Sequence, residues 1–329
     1  MKSKYGIGVV SKNTVDACID YVNSHDCTIT LIPSRRQVDY FGGYVEKWNT
    51  KTLSEYVNSK TEKVFLKRDH GGPDQGQERD DGVISFYFDS LYFDSIHIDP
   101  WKLNQDFKVG CELTRRYLLY CYSINPSLQF EIGTEESICP FSVEQLDQLL
   151  DYLRGLLPPA IYSQITFAVI QSGTSLKENQ NTGNYNVTRL MGMIDVCKKY
   201  GLFSKEHNGD YLPIEILRHK FNLGLNAVNI APEFGQLETQ IYLDEIKNSD
   251  LFDTYFDICH NSKKWEKWVD KSFDPFTNKE KLINICGHYV LSQYNFLSEI
   301  KRYLRPDINE VVKEKLTQKL DELHNNLPC

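Results

Sequence analysis

Asp69 and His70 stand side by side ahead of Gly71-Gly72-Pro73, and His97 and Asp99 form a second histidine–carboxylate pair a short way downstream. Glu131, Glu135, Gln171, His207, Asp210 and Asn229 follow, and Ser34, Arg35 and Gln37 precede them all. These residue types share a chemistry. Two imidazoles with one or two carboxylates and an open coordination position suit Zn²⁺, and less uniquely Mn²⁺, Fe²⁺ or Co²⁺. Such an ion polarises a carbonyl, and a carboxylate beside it can move a proton at the neighbouring atom. The residues are far apart in the chain, so this chemistry exists only if the fold gathers them.

The elements that would gather them are legible as a rhythm. Short apolar or β-branched runs read Tyr5–Val10, Cys27–Ile32, Val64–Leu66, Ser95–Ile98, Leu128–Phe130, Ile165–Ile170, Gly201–Phe203 and Ala227–Ile230. Between them apolar residues recur at helical spacing, as in Val15, Cys18, Ile19 and Val22, or Leu146, Leu149, Leu150 and Leu153. Ser142 followed by Gln145 is a capping box opening the second of these helices, and Pro213 suits the first position of another. Strand–helix alternation implies parallel strands, and eight such units predict an α/β protein of the (β/α)8, or TIM, barrel class. A doubly wound open sheet would want a glycine-rich phosphate turn after an early strand, and Val9-Val10-Ser11-Lys12-Asn13 is not one.

The barrel is expected over residues 1–258 and a helical C-terminal extension over 259–329, packed on the barrel or offering a surface to another subunit. Its last helix opens near Pro306-Asp307 and carries the stripe Val311, Val312, Leu316, Leu320 and Leu323. In such barrels the site lies at the carboxyl ends of the strands, where the loops converge. Ser34, Arg35 and Gln37 would follow strand two, Asp69 and His70 strand three, Asp99 strand four and Glu135 strand five. Gln171 would follow strand six, and His207 with Asp210 strand seven, while Asn229 ends strand eight. Blander readings stand beside these. His97 inside a short strand reads as a core histidine, and Glu131 as a ligand or as half of a buried ion pair with Arg or Lys. Asp69 and His70, being adjacent, would point to opposite faces of an ideal strand. Both reach one site only if the strand is already turning into Gly71-Gly72. The acidic, glycine-rich stretch from Gly71 to Gly82 is placed where a lid would hinge.

Composition narrows the class. The 329 residues are 41% hydrophobic and 25% charged, enough for a substantial core. Thirty-seven basic against forty-five acidic residues leave −8, which argues against a nucleic-acid partner. No apolar run approaches the roughly 18 residues of a membrane span, and Met1-Lys2-Ser3-Lys4-Tyr5-Gly6 lacks a secretory h-region. The nine cysteines form no CxxC pair and sit among apolar neighbours, which fits free thiols in a reducing cytoplasm.

Several of these segments occur in a familiar order. Gln37-Val38-Asp39-Tyr40-Phe41-Gly42-Gly43-Tyr44, Asp69-His70 with Gly72-Pro73, Ile96-His97-Ile98-Asp99, Ile132-Gly133-Thr134-Glu135, Gln171 with Gly173, and His207 through Asp210-Tyr211 resemble the D-tagatose-1,6-bisphosphate aldolase accessory (non-catalytic) subunit family. The resemblance covers roughly residues 5–250. That family is similar in turn to the class II, metal-dependent sugar aldolases, which are TIM barrels. The resemblance implies His70 and His207 as metal ligands, Asp69 as the proton-transfer residue and Asn229 as a substrate contact. The chain departs where the catalytic aldolases have a third histidine, because Gln171 stands there, so a carboxylate, Glu135 or Glu131, is expected to complete the ligand set. It also lacks the glycine–serine phosphate grip after strand seven, having Asn208-Gly209-Asp210. Asp210 and Glu233 would sit where a phosphate otherwise docks, and two unit charges about 4 Å apart at an effective dielectric of about 20 repel by about 4 kcal/mol. Arg35, Arg36, Lys177 and the Gly173-Thr174-Ser175 turn offer a phosphate another place.

The function expected is therefore a metal-dependent aldolase-like enzyme, with Zn²⁺ foremost as its ion, acting beside a sugar or sugar-phosphate carbonyl through an enediolate. Its catalytic groups would be Asp69, Asp99 and Glu131, its ligands His70, Glu135 and His207, and its substrate contacts Ser34, Arg35, Gln37, Gln171, Asp210 and Asn229. An epimerase on the same site is the first alternative. A non-catalytic barrel that stabilises an aldolase partner subunit is the second, and a homo-oligomer is a further option. A Schiff-base route through Lys67 or Lys205 is less favoured, because Gln171 occupies strand six.

Overall fold

All eight apolar or β-branched runs contribute strands that pair edge to edge into a closed parallel barrel, as the alternation predicts. The computed structural model describes residues 3–103 and 105–327; Cys329 lies outside them. The barrel strands are β1 (Tyr5–Ile7), β2 (Ile29–Leu31), β3 (Val64–Gly71), β4 (Ser95–Ile98), β5 (Gln129–Ile132) and β6 (Ile165–Val169). A small antiparallel hairpin, β7 (Leu176–Lys177) with β8 (Gln180–Asn181), interrupts the loop that follows. β9 (Phe203–Glu206) and β10 (Ala227–Ile230) complete the barrel, and β10 closes on β1 with Gly6 opposite Asn229.

Helices alternate with these strands: α1 (Lys12–Ser24), α2 (Thr50–Asn58), α3 (Val83–Tyr92), α4 (Phe107–Ile124), α5 (Val143–Leu156), the short α6 (Pro159–Tyr162), α7 (Val187–Lys199), α8 (Ile214–Asn222) and α9 (Pro232–Ile246). The Ser142–Gln145 capping box at α5 is formed in both directions, and Leu146, Leu149, Leu150 and Leu153 are its buried face. After α9 the chain is helical: α10 (Leu251–Ser262), α11 (Lys279–Cys286), α12 (Tyr294–Glu299) and α13 (Ile308–Asn326). The stripe on α13 is spent inside the chain, where Val312, Leu316, Leu320 and Leu323 are buried against α1 and α9. Lys319 of α13 also pairs with Glu233 of α9 at 2.8 Å. The eight described cysteines are free thiols. No helix among the described residues is long and apolar enough to cross a membrane.

Two differences from the sequence reading matter for the site. β3 is longer than the apolar run Val64–Leu66, because it continues through the polar residues Lys67 to Gly71. β9 begins at Phe203 and runs to Glu206, so His207 directly follows its end. In both cases ion pairs rather than apolar contacts hold polar strand residues in the barrel wall, which hydrophobic patterning does not report.

His288 illustrates the cost of burial in the C-terminal part. Its ring lies against α9 where Gly235 leaves room: a Cβ there would come within 2.6 Å of it. Burial, and then the charge of Lys267, pull its pKa down to about 3. The folded ring is therefore neutral, whereas the unfolded one takes up a proton below about pH 6.5, so stability is lost as pH falls from that value. We expect His288→Gln to flatten the pH slope of unfolding free energy between pH 6 and 5 by as much as about 1.4 kcal/mol per pH unit. Urea titrations at each pH measure this, and an unchanged slope refutes it.

Candidate active site

Strand alternation sorts the polar residues of β3 and β9 into two sets. Arg68 points outward, where its guanidinium meets Asp89 of α3 at 2.7 and 2.8 Å and the carbonyl oxygens of Pro33 and Val38. Glu206 also points outward, to Lys220 of α8 at 2.6 Å. Lys67, Asp69, Lys205 and His207 are thereby left facing inward. His70 should follow Arg68 outward, but the β3–β4 register shifts between Arg68 and Gly71 and His70 adopts φ +46°. This bulge turns two successive side chains to the same side. Asp69 and His70 therefore reach one site, under the condition that the sequence reading set.

The two imidazoles meet at the centre. His70 Nε2 and His207 Nδ1 are 3.1 Å apart. Each ring has a carboxylate on its far nitrogen: Asp99 lies 2.6 Å from His70 Nδ1 and Glu131 lies 2.7 Å from His207 Nε2. Those carboxylates fix the outer nitrogens as N–H donors and leave the inner pair with the lone pairs. Asp69 stands 3.6 Å from His207 Nδ1 and 4.0 Å from His70 Nε2, and Glu135 is 3.9 Å from His70 Nε2. Burial opposes charge on His70, but Asp69, Asp99 and Glu135 outweigh it and raise its pKa to about 10. Burial holds His207 neutral, helped by His70 and the two lysines and opposed by Asp69. His97 belongs to the same cluster, in which Asp69, His70, His97 and His207 each place a ligand atom within 4.8 Å of the others. Its own nitrogens are engaged, however. Nε2 meets the Gly133 carbonyl at 2.9 Å, and Nδ1 accepts the His70 backbone N–H at 3.3 Å. It is a satisfied core histidine within the cluster.

Beneath the imidazoles lies an ionic layer, of which the sequence reading held one half, Glu131 in a buried ion pair. The Glu131 carboxylate contacts Lys67 directly and lies 3.6 Å from Lys205, and both ammonium groups sit over the Phe167 ring at 5.3 and 5.6 Å. The available signal was periodicity: Lys67 and Lys205 stand two residues before Asp69 and His207, on the same face. Glu131 thus follows the ion-pair reading rather than the ligand one: it pairs with lysines below and braces an imidazole above.

The candidate substrate contacts divide. Asn229 lies in the site, its amide donating to Asp69 at 3.1 Å. Ser34 bridges to Asp69 through the backbone, and its N–H is taken by Gln37 at 2.8 Å. Arg35 is corrected. It is buried, and Asp39, Asp80 and the Gly72 carbonyl use its five N–H donors, so none is free for a substrate. Gln171 is corrected for the same reason. Its carbonyl accepts from Phe141 N and Arg189, and its amide donates to the Thr134 and Cys139 carbonyls, which exhausts both ends. Asp210 is a helix cap, because Oδ1 accepts the N–H groups of Ala231 and Glu233 at 2.9 Å each. A carboxylate of the chain itself thus occupies the α9 N-terminus, a position that attracts anions.

No protein-family model and no curated protein sequence matches the chain. Solved structures match it in fold. A probable tagatose 6 phosphate kinase from Sinorhizobium meliloti 1021 superposes with a TM-score of 0.76 at 13% identity, over 98% of this chain and 99% of that one. The YdjI aldolase from Escherichia coli K12 gives 0.58 at 12% identity, over 98% and 92%. A fructose-bisphosphate aldolase from Campylobacter jejuni gives 0.59 at 10%, over 98% and 90%. The chain shares their fold, a (β/α)8 barrel followed by C-terminal helices.

The ionic layer carries a stability prediction. Glu131→Gln leaves Lys67 and Lys205 buried without their shared anion, and breaking a buried pair from one side costs about 3–5 kcal/mol. Adding Lys205→Met should recover part of that loss in urea denaturation. A double variant no more stable than the single one counts against Glu131 as the neutralising group.

Proposed function

We propose that the protein is a divalent-metal-dependent lyase of the aldolase kind, acting on a sugar beside its carbonyl. The observation that carries this reading is the facing pair His70 Nε2 and His207 Nδ1, 3.1 Å apart, each backed by a carboxylate. Adjacent nitrogens on a tetrahedral ion with bonds of 2.0–2.1 Å lie about 3.3 Å apart, so the spacing fits Zn²⁺. His70 and His207 would hold the ion, with Glu135 as the third protein ligand. When bound, the ion supplies Lewis acidity toward the substrate carbonyl. Asp99 and Glu131 are positioning residues, because both lie behind the rings and fix their tautomers. Asp69 carries the proton to or from the hydroxyl or carbon next to the carbonyl, and Asn229 orients its carboxylate at 3.1 Å. The same proton transfer serves aldol cleavage and epimerisation.

A second reading, a barrel that completes a partner subunit without turning over substrate, draws support from Gln171. That residue stands where the resemblance places a third histidine, and its hydrogen-bonding capacity is used within the fold.

Metal analysis separates the two. We expect about one Zn²⁺ per chain in the wild type, lost in His70→Ala and in His207→Ala. Asp69→Asn should keep the metal while lowering turnover by about 10²–10⁴ in a sugar screen that scores cleavage and epimerisation separately. A wild type that stays metal-free after dialysis against Zn²⁺ makes the partner-subunit reading the better one. Undiminished turnover in Asp69→Asn removes the proton-transfer role.

A further inference from the structure

The barrel interior is open at the end opposite the imidazoles. An ordinary (β/α)8 interior is filled by layers of bulky, mostly branched side chains. Near the strand starts of this barrel stand Thr30, Ser95 and Gln129 instead, and they border a cavity of about 200 Å³. Its walls include the rings of Phe167 and Phe203, whose centroids are 5.6 Å apart. Phe203 is 44% exposed, so the cavity opens to solvent at the amino-terminal face of the barrel. Asp94, the one acid on the wall among the described residues, is exposed, and its Oδ2 accepts the Leu66 N–H at 2.8 Å.

Lys67 and Lys205 line the same cavity at its inner end, and they are only 4% and 3% exposed. Among the described residues Glu131 is the one carboxylate in ionic contact with either. It touches Lys67 directly, whereas Lys205 stays 3.6 Å away and makes no hydrogen bond among the described residues. The remaining contact of the Lys205 ammonium is the Phe167 ring at 5.6 Å. An ammonium carries three N–H donors, and a buried charge is costly unless it is paired and hydrogen-bonded. Two cations therefore share one anion, and Lys205 keeps donors that the chain does not satisfy. Glu131 also walls this cavity off from the reacting site, because its other oxygen faces His207 Nε2 at 2.7 Å.

We propose that this cavity is a second binding site, which takes a small carboxylate with an aromatic or apolar body. The carboxylate accepts from Lys205 and supplies the second negative charge that the lysine pair lacks, and the body lies against Phe167 and Phe203. Mostly apolar walls with one or two placed polar groups are the usual make-up of a small-molecule site. The size is also right, since an apolar cavity of roughly 150 Å³ takes up benzene. The inference is independent of the chemistry assigned to His70 and His207, which lie on the far side of Glu131.

Titration calorimetry with benzoate, benzyl alcohol, benzylamine and acetate tests this without turnover. The proteins are the wild type, Lys205→Met, Ser95→Leu and His70→Ala. Lys205→Met leaves Lys67 and Glu131 as a one-to-one pair, and Ser95→Leu adds an apolar side chain at a half-buried wall position, so both should fold, which thermal melts check. We expect the wild type to bind one benzoate per chain, about tenfold more tightly than each of the other three probes. Lys205→Met should weaken benzoate about tenfold and leave benzyl alcohol unchanged, because only the charge-assisted contact is lost. Ser95→Leu should weaken both by filling the cavity, and it decides alone if Lys205→Met does not fold. Absence of saturable benzoate binding by the wild type overturns the proposal. So does benzoate affinity within twofold of wild type in either folded variant, or benzylamine binding as tightly as benzoate. His70→Ala separates the two ends of the barrel: benzoate binding that survives there supports the amino-terminal cavity, and binding lost there lies at the imidazoles and overturns the assignment.

Discussion

Two imidazole nitrogens 3.1 Å apart, each with its lone pair turned inward, cannot remain together unless a positive charge lies between them. Asp69, Asp99 and Glu135 favour a proton on His70, and a divalent ion between the rings would be its chemical substitute. The surroundings answer this constraint. Asp99 and Glu131 turn the rings so that the inner nitrogens face each other, and Asp69 and Glu135 supply negative charge at the open side. The bulge in β3 exists for the same end. Without the register shift after Arg68, His70 would point to α3 and the pair would not form. The left-handed backbone at His70 costs of order 1–3 kcal/mol, and it persists because Arg68, locked to Asp89, and the following Gly71-Gly72 fix the strand on both sides.

Charge alternates with depth along the barrel axis. Lys67 and Lys205 form the floor, Glu131 lies on them, the histidines lie on Glu131, and Asp69 with Glu135 faces the mouth. Each layer offsets the desolvation of the one below, which is how a barrel interior tolerates so many ionisable groups. The outward residues of the same strands repeat the device, with Arg68 on Asp89 and Glu206 on Lys220 tying strands to helices. The scaffold and the site thus use one kind of interaction, separated only by the pleat of the strands.

This explains what could be read from the sequence. The eight strands, the capping box at Ser142 and the joint position of Asp69, His70, Glu135, His207 and Asn229 follow from local pattern and from the rule that barrel loops share one mouth. Arg35, Gln171 and Asp210 were misplaced for a single reason. Residue type and position after a strand indicate that a side chain is near the mouth, but not whether the chain has already used its hydrogen bonds. Arg35 and Gln171 are consumed by partners such as Asp80 and Arg189, and one oxygen of Asp210 is taken by the start of the next helix. His97 illustrates the converse, since its engagement with Gly133 is what its place inside a strand suggested. Lys67 and Lys205 were read only as a less favoured Schiff-base option, because lysine inside a barrel is costly unless an anion such as Glu131 neutralises it.

The helices after α9 bear on the site through the loops they hold. Glu46 and Glu178 are non-glycine residues with positive φ, 50° and 57°, and both are fastened to the C-terminal segment. Glu46 N–H donates to Ser292 at 2.9 Å; Glu178 N–H donates to the Trp268 carbonyl at 3.3 Å, and its carboxylate pairs with Lys281 at 2.6 Å. A left-handed backbone at such residues is unfavourable alone and needs contacts that over-determine it. The loops after β2 and β6 therefore take their shape from residues well beyond the last barrel strand. A barrel cut after α9 would lose the partners that set its rim, along with the α13 face that covers α1 and α9. The floor of the candidate site and the shape of its rim are in this sense encoded in different parts of the chain, and only the packing of one on the other makes them a single site.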